Sequence, residues 1–349
     1  MMKTLSILFM GLLLLISGCQ KTSPARTKGC WFFCPSENTP PPITKRDCFS
    51  SSPTLQRTQN SVFLLAAGAN TRGLLKTSND VEKFSKSVQR HFNIPETQIC
   101  HLTNAFKAEL ENALIALKPH LIKGDLVILY FSGHGSQIRD DNGDEQDGED
   151  EALVTLDVEG KDYPRAKHVL RDDQFTALVN ALPTDRILTV MDTCFSSGMY
   201  LAKTEQPNPL LATARSKFFV KGEIGTQMPR DRANQDNLIK NEVGEFDALK
   251  GLLLAAASEK ENALEINEGG LFTLKFVEQL EKQGDIKKAF LQAAQDVQDA
   301  TGSGDVQQTP QAIGDWGVLG DKLIYITHLI FFFNTENTEG HREPQSINF

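Results

Sequence analysis

Two short segments carry the residue types that nucleophilic catalysis needs. MDTCFSSG, residues 191–198, closes an apolar run with an acid, a thiol and small polar groups. YFSGHGSQ, residues 130–137, sets a histidine between two glycines after another apolar run. A neutral thiol with an ordinary pKa of about 8.5 is only a few per cent thiolate at neutral pH, so a cysteine nucleophile needs a partner for its proton. His134 can be that partner for Cys194. Its flanking glycines let backbone approach closely, and a glycine amide there suits an oxyanion hole. Cys194 also lies where the chain turns out of the core among Asp, Ser and Gly, an unusual setting for a small core residue. Asp192 poses the puzzle, because a carboxylate beside a cysteine raises the thiol pKa and does not activate it.

The elements before these motifs must bring them together. Val62–Ala67, Gln98–Leu102, Asp125–Phe131, Arg186–Met191 and Leu252–Ala257 are short apolar runs that read as buried strands. Helical spacing appears at Asn79–Phe92, where Val81, Phe84, Val88 and Phe92 share a face and Ser78 can cap. It recurs at Ala105–Leu117, Asp172–Ala181, Phe272–Leu280 and Ile286–Val297. The alternation predicts an α/β fold, a mainly parallel central sheet flanked by helices. Such sheets bind ligands outside the carboxyl ends of their strands. That edge collects Ser132-Gly133-His134-Gly135, Asp192 with Cys194, and Ser258-Glu259.

The chain has 349 residues and a formal net charge of −9. With no basic cluster it has nothing to release counterions from phosphates, so no nucleic-acid partner is expected. Lys3, the apolar stretch Leu5–Ile16 and the ending Ile16-Ser17-Gly18-Cys19 resemble a bacterial lipoprotein signal. On that reading residues 1–18 are a signal peptide and Cys19 is lipidated. Residues 19–57, rich in Ser, Thr and Pro, form a tether to the membrane. The location implied is the bacterial cell envelope, with the outer membrane favoured because Gln20 is not acidic. Residues 58–326 form the folded domain, and 327–349, with the short apolar HLIFFF, form a tail. Of the six cysteines, setting Cys19 aside leaves five, so at least one thiol stays free in an oxidising compartment. Any two of Cys30, Cys34 and Cys48 can pair, and Cys194 is the candidate free thiol.

The His and Cys segments resemble the motifs of the caspase-like clan of cysteine peptidases, metacaspases and their bacterial relatives above all. TSNDVEKF (77–84), DEQDGEDEALVTLD (144–157), LRDDQF (170–175), ASEKENALE (257–265), GGLFTLKF (269–276) and QTPQ (308–311) resemble further segments of such domains, in the same order. The resemblance covers about residues 60–325 and implies the caspase–hemoglobinase fold. It implies peptide-bond cleavage through a thioester, with Cys194 attacking, His134 as general acid/base and the amides of Gly135 and Cys194 as oxyanion hole. It also implies protein or peptide substrates with Arg or Lys before the scissile bond (P1), held by Asp80 and Asp192. Two carboxylates facing a cation would explain Asp192. True caspases, by contrast, cut after Asp.

Metacaspases often bind calcium, which by the same resemblance would sit at Asp150, Asp172 and Asp173. A further family aspartate has no counterpart, because Met199-Tyr200-Leu201-Ala202 stands in its place. Residues 140–151 hold eight carboxylates in twelve positions, but an EF-hand register would put Ile138 where Asp is required. Self-cleavage, as in some relatives, is expected in the polar stretch 203–250, which carries Lys217, Lys221, Arg230, Arg232 and Lys240. A monomer is expected. The doubled serine Ser196-Ser197 departs from the Cys-x-Ser-Gly usual in relatives. It favours a second reading, a catalytically silent caspase-fold lipoprotein acting as a binding module.

Overall fold

The expected strands form because their side chains alternate between two cores. A computed structural model describes residues 48–49, 59–139, 149–159, 166–194, 209–211, 213–219, 249–258, 261–302 and 307–320. All belong to the compact unit Lys45–Phe349. The lipobox at Cys19, most of the tether, the acidic residues 140–148, Ser196-Ser197, Glu259, Lys221, Arg230, Arg232, Lys240 and the tail lie outside the described residues. In chain order the elements are β1 (Val62–Gly68), α1 (Thr77–Phe92), β2 (Ile99–Thr103), α2 (Lys107–Leu117), β3 (Leu126–Ser132), β4 (His134–Arg139), β5 (Glu149–Val154), β6 (Val169–Arg171) and α3 (Asp172–Asn180). Then follow β7 (Ile187–Asp192), β8 (Arg215–Ser216), β9 (Leu252–Ala255), β10 (Leu264–Ile266), β11 (Gly269–Gly270), α4 (Leu271–Gln283), α5 (Ile286–Thr301) and β12 (Gln311–Gly314).

Six strands make the main sheet in the order β12-β9-β7-β3-β1-β2. Every neighbouring pair is parallel except β12 with β9. Leu64, Leu126, Ile128, Leu188 and Leu254 face a core shared with α1, α4 and α5. Phe63, Leu65, Val127, Leu129, Met191 and Leu253 face the core under α2 and α3. Phe84 of α1 stacks on Tyr130 of β3 with ring centroids 4.0 Å apart, tying that helix to the sheet centre. The strand order reverses between β1 and β3, and the carboxyl edge at such a switch point is open to a ligand. Among the described residues no helix is long and apolar enough to cross a membrane.

Three features differ from the sequence expectation. Helix α1 begins at Thr77, so Ser78 lies in its first turn instead of capping it. The helix start is held from outside: Asn70 Oδ1 accepts from Thr77 N (2.9 Å), and Glu265 accepts from Leu75 N and Lys76 N (2.9 Å each). Two small antiparallel sheets, β4-β5-β6 and β11-β10-β8, were not expected as such. β6, β8, β10 and β11 are only two or three residues long, too short for a hydrophobic period to mark them, and β4 and β5 read from sequence as a motif segment and an acidic loop.

The third correction concerns the cysteines. Cys48 pairs with Cys100 on edge strand β2, not with Cys30 or Cys34. Phe49 beside it packs against the core edge-on to Phe63. Among the described residues Cys194 is the free cysteine. The bridge closes a loop of 52 residues, and a crosslink of that span stabilises by about 4 kcal/mol through the entropy of the unfolded chain. A Cys48→Ala, Cys100→Ala variant should lose about that much in denaturant unfolding. Reductant should bring the unaltered protein to the same midpoint, and an unchanged midpoint would remove the bridge from the fold.

Candidate active site

Sheet register sets the two motifs side by side. Ser132 pairs with Asp192 across β3 and β7, so His134 and Cys194 each follow two residues beyond the same row. Gly135 then lies directly on Cys194. A Cβ at Gly135 would fall 1.4 Å from the Cys194 carbonyl oxygen, so no other residue fits. His134 and Cys194 are both buried. They do not hydrogen-bond: neither ring nitrogen of His134 has a partner, and Cys194 Sγ accepts from Ala263 N at 2.9 Å.

Asp80 and Asp192 do come together, and between them sits Lys217. All three are fully buried. Lys217 Nζ lies 3.0 Å from Asp192 Oδ1 and 3.5 Å from Asp80 Oδ2. It also donates to Ser132 Oγ (2.9 Å) and to the Asp192 carbonyl (3.1 Å). The carboxylates have further donors. Ser132 Oγ and Gly270 N serve Asp80 at 2.8 and 2.9 Å, and Thr273, at the start of α4, serves Asp192 through its amide and hydroxyl. A Cβ on Gly270 would stand 2.0 Å from Asp192 Oδ2 and 2.5 Å from Lys217 Nζ, so the glycine makes room for the ammonium.

The backbone around Lys217 runs through the cleft as an extended strand. Gly135 N, the expected oxyanion donor, donates to the Lys217 carbonyl at 2.9 Å. Lys217 N donates to Ala263 O at 2.9 Å, and β8 before it pairs antiparallel with β10. Arg215 Nη1 lies 3.5 Å from Glu265 Oε1. Phe219 N donates to Gly135 O at 2.8 Å. The sequence singled out Lys217 only as one basic residue among five. Ser132, Thr273, Gly270, Ala263 and Glu265 carried no catalytic signature, and only the Gly269-Gly270 pair before a helix hinted at a tight site. Ser258 turns away into a local turn, its carbonyl accepting from Glu261 N.

Electrostatics hold this arrangement in an unreactive state. Burial pushes the Cys194 thiol up to about 12, with the Ala263 contact and the Lys217 charge acting against it. Burial pushes the His134 imidazole down to about 4, while backbone groups of Lys217, Arg72 and Thr71 act the other way. Cysteine and histidine are therefore both neutral at neutral pH. Burial favours an uncharged Lys217, but Asp192 and Asp80 outweigh it and hold the ammonium above its ordinary value. Asp80 is raised, first by burial and further by Asp192, with Lys217 opposing.

Asp150 lies in β5, while Asp172 and Asp173 open α3 directly after β6. Asp150 already pairs with Arg171 Nε at 3.1 Å. Asp172 is buried, and neither of its oxygens has a hydrogen-bond partner. Among the described residues, no group of three or more His, Cys, Asp or Glu side chains is arranged to hold a metal ion.

Comparison with known proteins gives the class. The sequence profile of the caspase domain matches residues 61–314. The chain therefore belongs to the caspase-domain family, whose members are cysteine-type peptidases. Family and α/β fold are thus as the motifs implied. The chain is 27% identical over 201 residues to metacaspase-1A of Aspergillus oryzae, covering 52% of this chain and 45% of that protein. It is 30% identical over 159 residues to metacaspase-2 of Arabidopsis thaliana, covering 41% and 36%. The chain thus spans less than half the length of either relative. Among solved structures it is similar to caspase-1 from Spodoptera frugiperda, with 12% identity, a TM-score of 0.40, and 74% of this chain and 90% of that one covered.

The orphaned Asp172 gives this region a pH signature. Burial, with Asp173 and Asp150 nearby, raises its pKa from 3.8 to about 7. The folded state prefers the protonated acid, so this contribution is complete below the unfolded value and is lost as pH rises towards about 7. Asp172→Asn carries no charge to desolvate. Its unfolding midpoint should match the unaltered protein near pH 4 and exceed it near pH 8. Equal midpoints at both pH values would mean that Asp172 has a partner in solution.

Proposed function

We propose that the chain is an endopeptidase cutting protein substrates after Lys or Arg, with Lys217-Phe218 as its own first scissile bond. The seat of Lys217 supports this reading. Its ammonium lies between Asp80 and Asp192 while its carbonyl meets Gly135 N, the two contacts a basic P1 residue requires. Cys194 is the nucleophile and His134 the general acid/base. Cys194 turns from Ala263 towards His134, the thiol proton passes to the imidazole, and sulfur attacks the Lys217 carbonyl carbon. Negative charge on the carbonyl oxygen meets the Gly135 amide. The Lys217–Phe218 bond breaks as the Phe218 nitrogen takes the proton from His134. Water then loses a proton to His134, its oxygen displaces the sulfur from the thioester, and the thiol is restored.

Calcium activation belongs to the same proposal: the buried Asp172 carboxylate feels the charges of Asp173 and Asp150, although these side chains are not arranged as a closed metal site. A bound ion would add positive charge beside these carboxylates, to that of Arg171. Removing one of two carboxylates around a buried cation costs about 3–5 kcal/mol, a hundredfold or more in binding. Peptides ending in Lys or Arg should therefore be cut at least about a hundredfold better than one ending in Asp, and Asp192→Asn should erase most of that preference. The intact chain should yield a fragment beginning at Phe218 in calcium and not in EGTA, and Cys194→Ala should stay whole. Cleavage by Cys194→Ala, or equal turnover of Asp-ended peptides, would sink the assignment. Unchanged activity in EGTA would remove calcium alone.

Export as a lipoprotein is the second part of the proposal. The Cys48–Cys100 bridge supports it, because disulfides persist in oxidising compartments. Cys19 would carry the lipid and hold the enzyme at the bacterial cell envelope, the outer membrane favoured. Cells fed labelled palmitate should label the full chain but not Cys19→Ala. A chain without label would leave the segment a plain signal or anchor.

A further inference from the structure

Phe219 lies two residues beyond the Lys217–Phe218 bond and is only 9% exposed. Its ring joins Ala152 and Val154 of β5, Val158, and Val169 of β6 in a small apolar cluster separate from both main cores, with Ile138 of β4 at its margin. This cluster is one face of the β4-β5-β6 sheet; Leu153 and Leu170 on the other face pack into the core under α2 and α3. The Arg72 guanidinium carbon stands 5.3 Å from the Phe219 ring centroid, a cation–π distance. Arg72 is steadied there by its Nη2, which donates to the Val158 carbonyl at 3.3 Å, and by its amide, which donates to Glu159 Oε2 at 3.3 Å. The His134 ring centroid lies 6.0 Å from that of Phe219, so the same aromatic ring covers one side of the general base.

The backbone of Phe219 is held as well. Its amide donates to Gly135 O at 2.8 Å and its carbonyl accepts from Ser136 Oγ at 3.0 Å. In an extended chain, residues two apart point the same way. Lys217 and Phe219 therefore both point into the enzyme. A walled pocket, a fixed cation above it and two hydrogen bonds to one residue's backbone are the parts of a binding subsite.

We infer that this pocket is a substrate subsite on the leaving-group side, accepting an aromatic or large aliphatic residue two positions after the scissile bond (P2′). The inference rests on the reading of Lys217 as the residue before that bond. The walls reward apolar area, and Arg72 rewards a π face and repels a cation. The sequence cut in other proteins is then basic-x-(aromatic or large aliphatic), with the scissile bond after the basic residue.

Quenched-fluorescence peptides based on residues 213–219 test it in solution, with Lys kept at P1 and Phe, Leu, Ala or Lys at P2′. The full chain in calcium should give the highest kcat/KM with Phe or Leu, about tenfold lower with Ala, and the lowest with Lys. Arg72→Glu should raise the Lys peptide relative to the Ala peptide, a reversal that mere support of the fold would not produce. Equal rates across the P2′ series, with Lys and Arg still strongly preferred at P1, would overturn the subsite and leave the basic pocket standing. Indifference at P1 as well would overturn both.

Discussion

The ammonium of Lys217 between two buried carboxylates is the interaction on which the site depends. Asp80 and Asp192 are fully shielded from solvent, and two such anions cannot share one cavity without a cation. Meeting that requirement draws on distant parts of the chain. The β3-β7 register brings Ser132 and Asp192 level. Asp80 comes from the first turn of α1, whose start is held by Asn70 and Glu265. Gly270 leaves the space, and Thr273 at the start of α4 satisfies the far oxygen of Asp192. A buried pair of this kind adds little net stability, because desolvation cancels most of the attraction. What it gives is a demand for one kind of side chain at one place.

This resolves the apparent fault of Asp192. Alone, its charge makes the Cys194 thiolate harder to form. With a cation seated, Lys217 lowers the thiol pKa, and its influence stands ahead of the opposing Asp192. On the proposed reading, a basic P1 residue would offset the cost that Asp192 imposes on Cys194. Recognition and activation share one charge, and an empty pocket holds a less reactive cysteine than a filled one. Even filled, the described state is unreactive, because Sγ is engaged with Ala263 and the imidazole has no partner.

The main sheet was legible because its strands are buried on both faces and read as continuous apolar runs. The place of His134, Gly135, Asp192 and Cys194 at one sheet edge was legible because glycine and polar residues directly follow such runs. The place of Lys217 was not, since nothing in a polar stretch separates the lysine that turns inward from those that face solvent. β8, β10 and β11 are two or three residues long, and β8 pairs with β10 across about fifty residues of sequence, so no local period marks them. The Cys48–Cys100 bridge was equally hidden, because spacing does not give connectivity. Asn70 displaced Ser78 at the start of α1 because a side chain from outside the helix reached the free amide first.

The two sides of the Lys217–Phe218 bond are held unequally, which bears on what cutting it would achieve. Towards the N-terminus the segment keeps the buried ion pairs, the β8-β10 pairing, the Lys217 N contact with Ala263 and the Arg215–Glu265 pair. Beyond the bond it keeps the Gly135 and Ser136 contacts and the Phe219 pocket. Cleavage severs none of these. It also leaves a carboxylate on Lys217, placed against the Gly135 amide that a new substrate needs. Cutting alone would therefore leave the product in the site, and clearing it means taking the Lys217 cation out from between two buried anions. Protonation of Asp80, whose pKa already lies above the ordinary carboxylate range, weakens the hold on that cation. On the proposed reading, a free enzyme would depend on releasing the cation as much as on breaking the bond, and the strength of the basic pocket would work against self-activation.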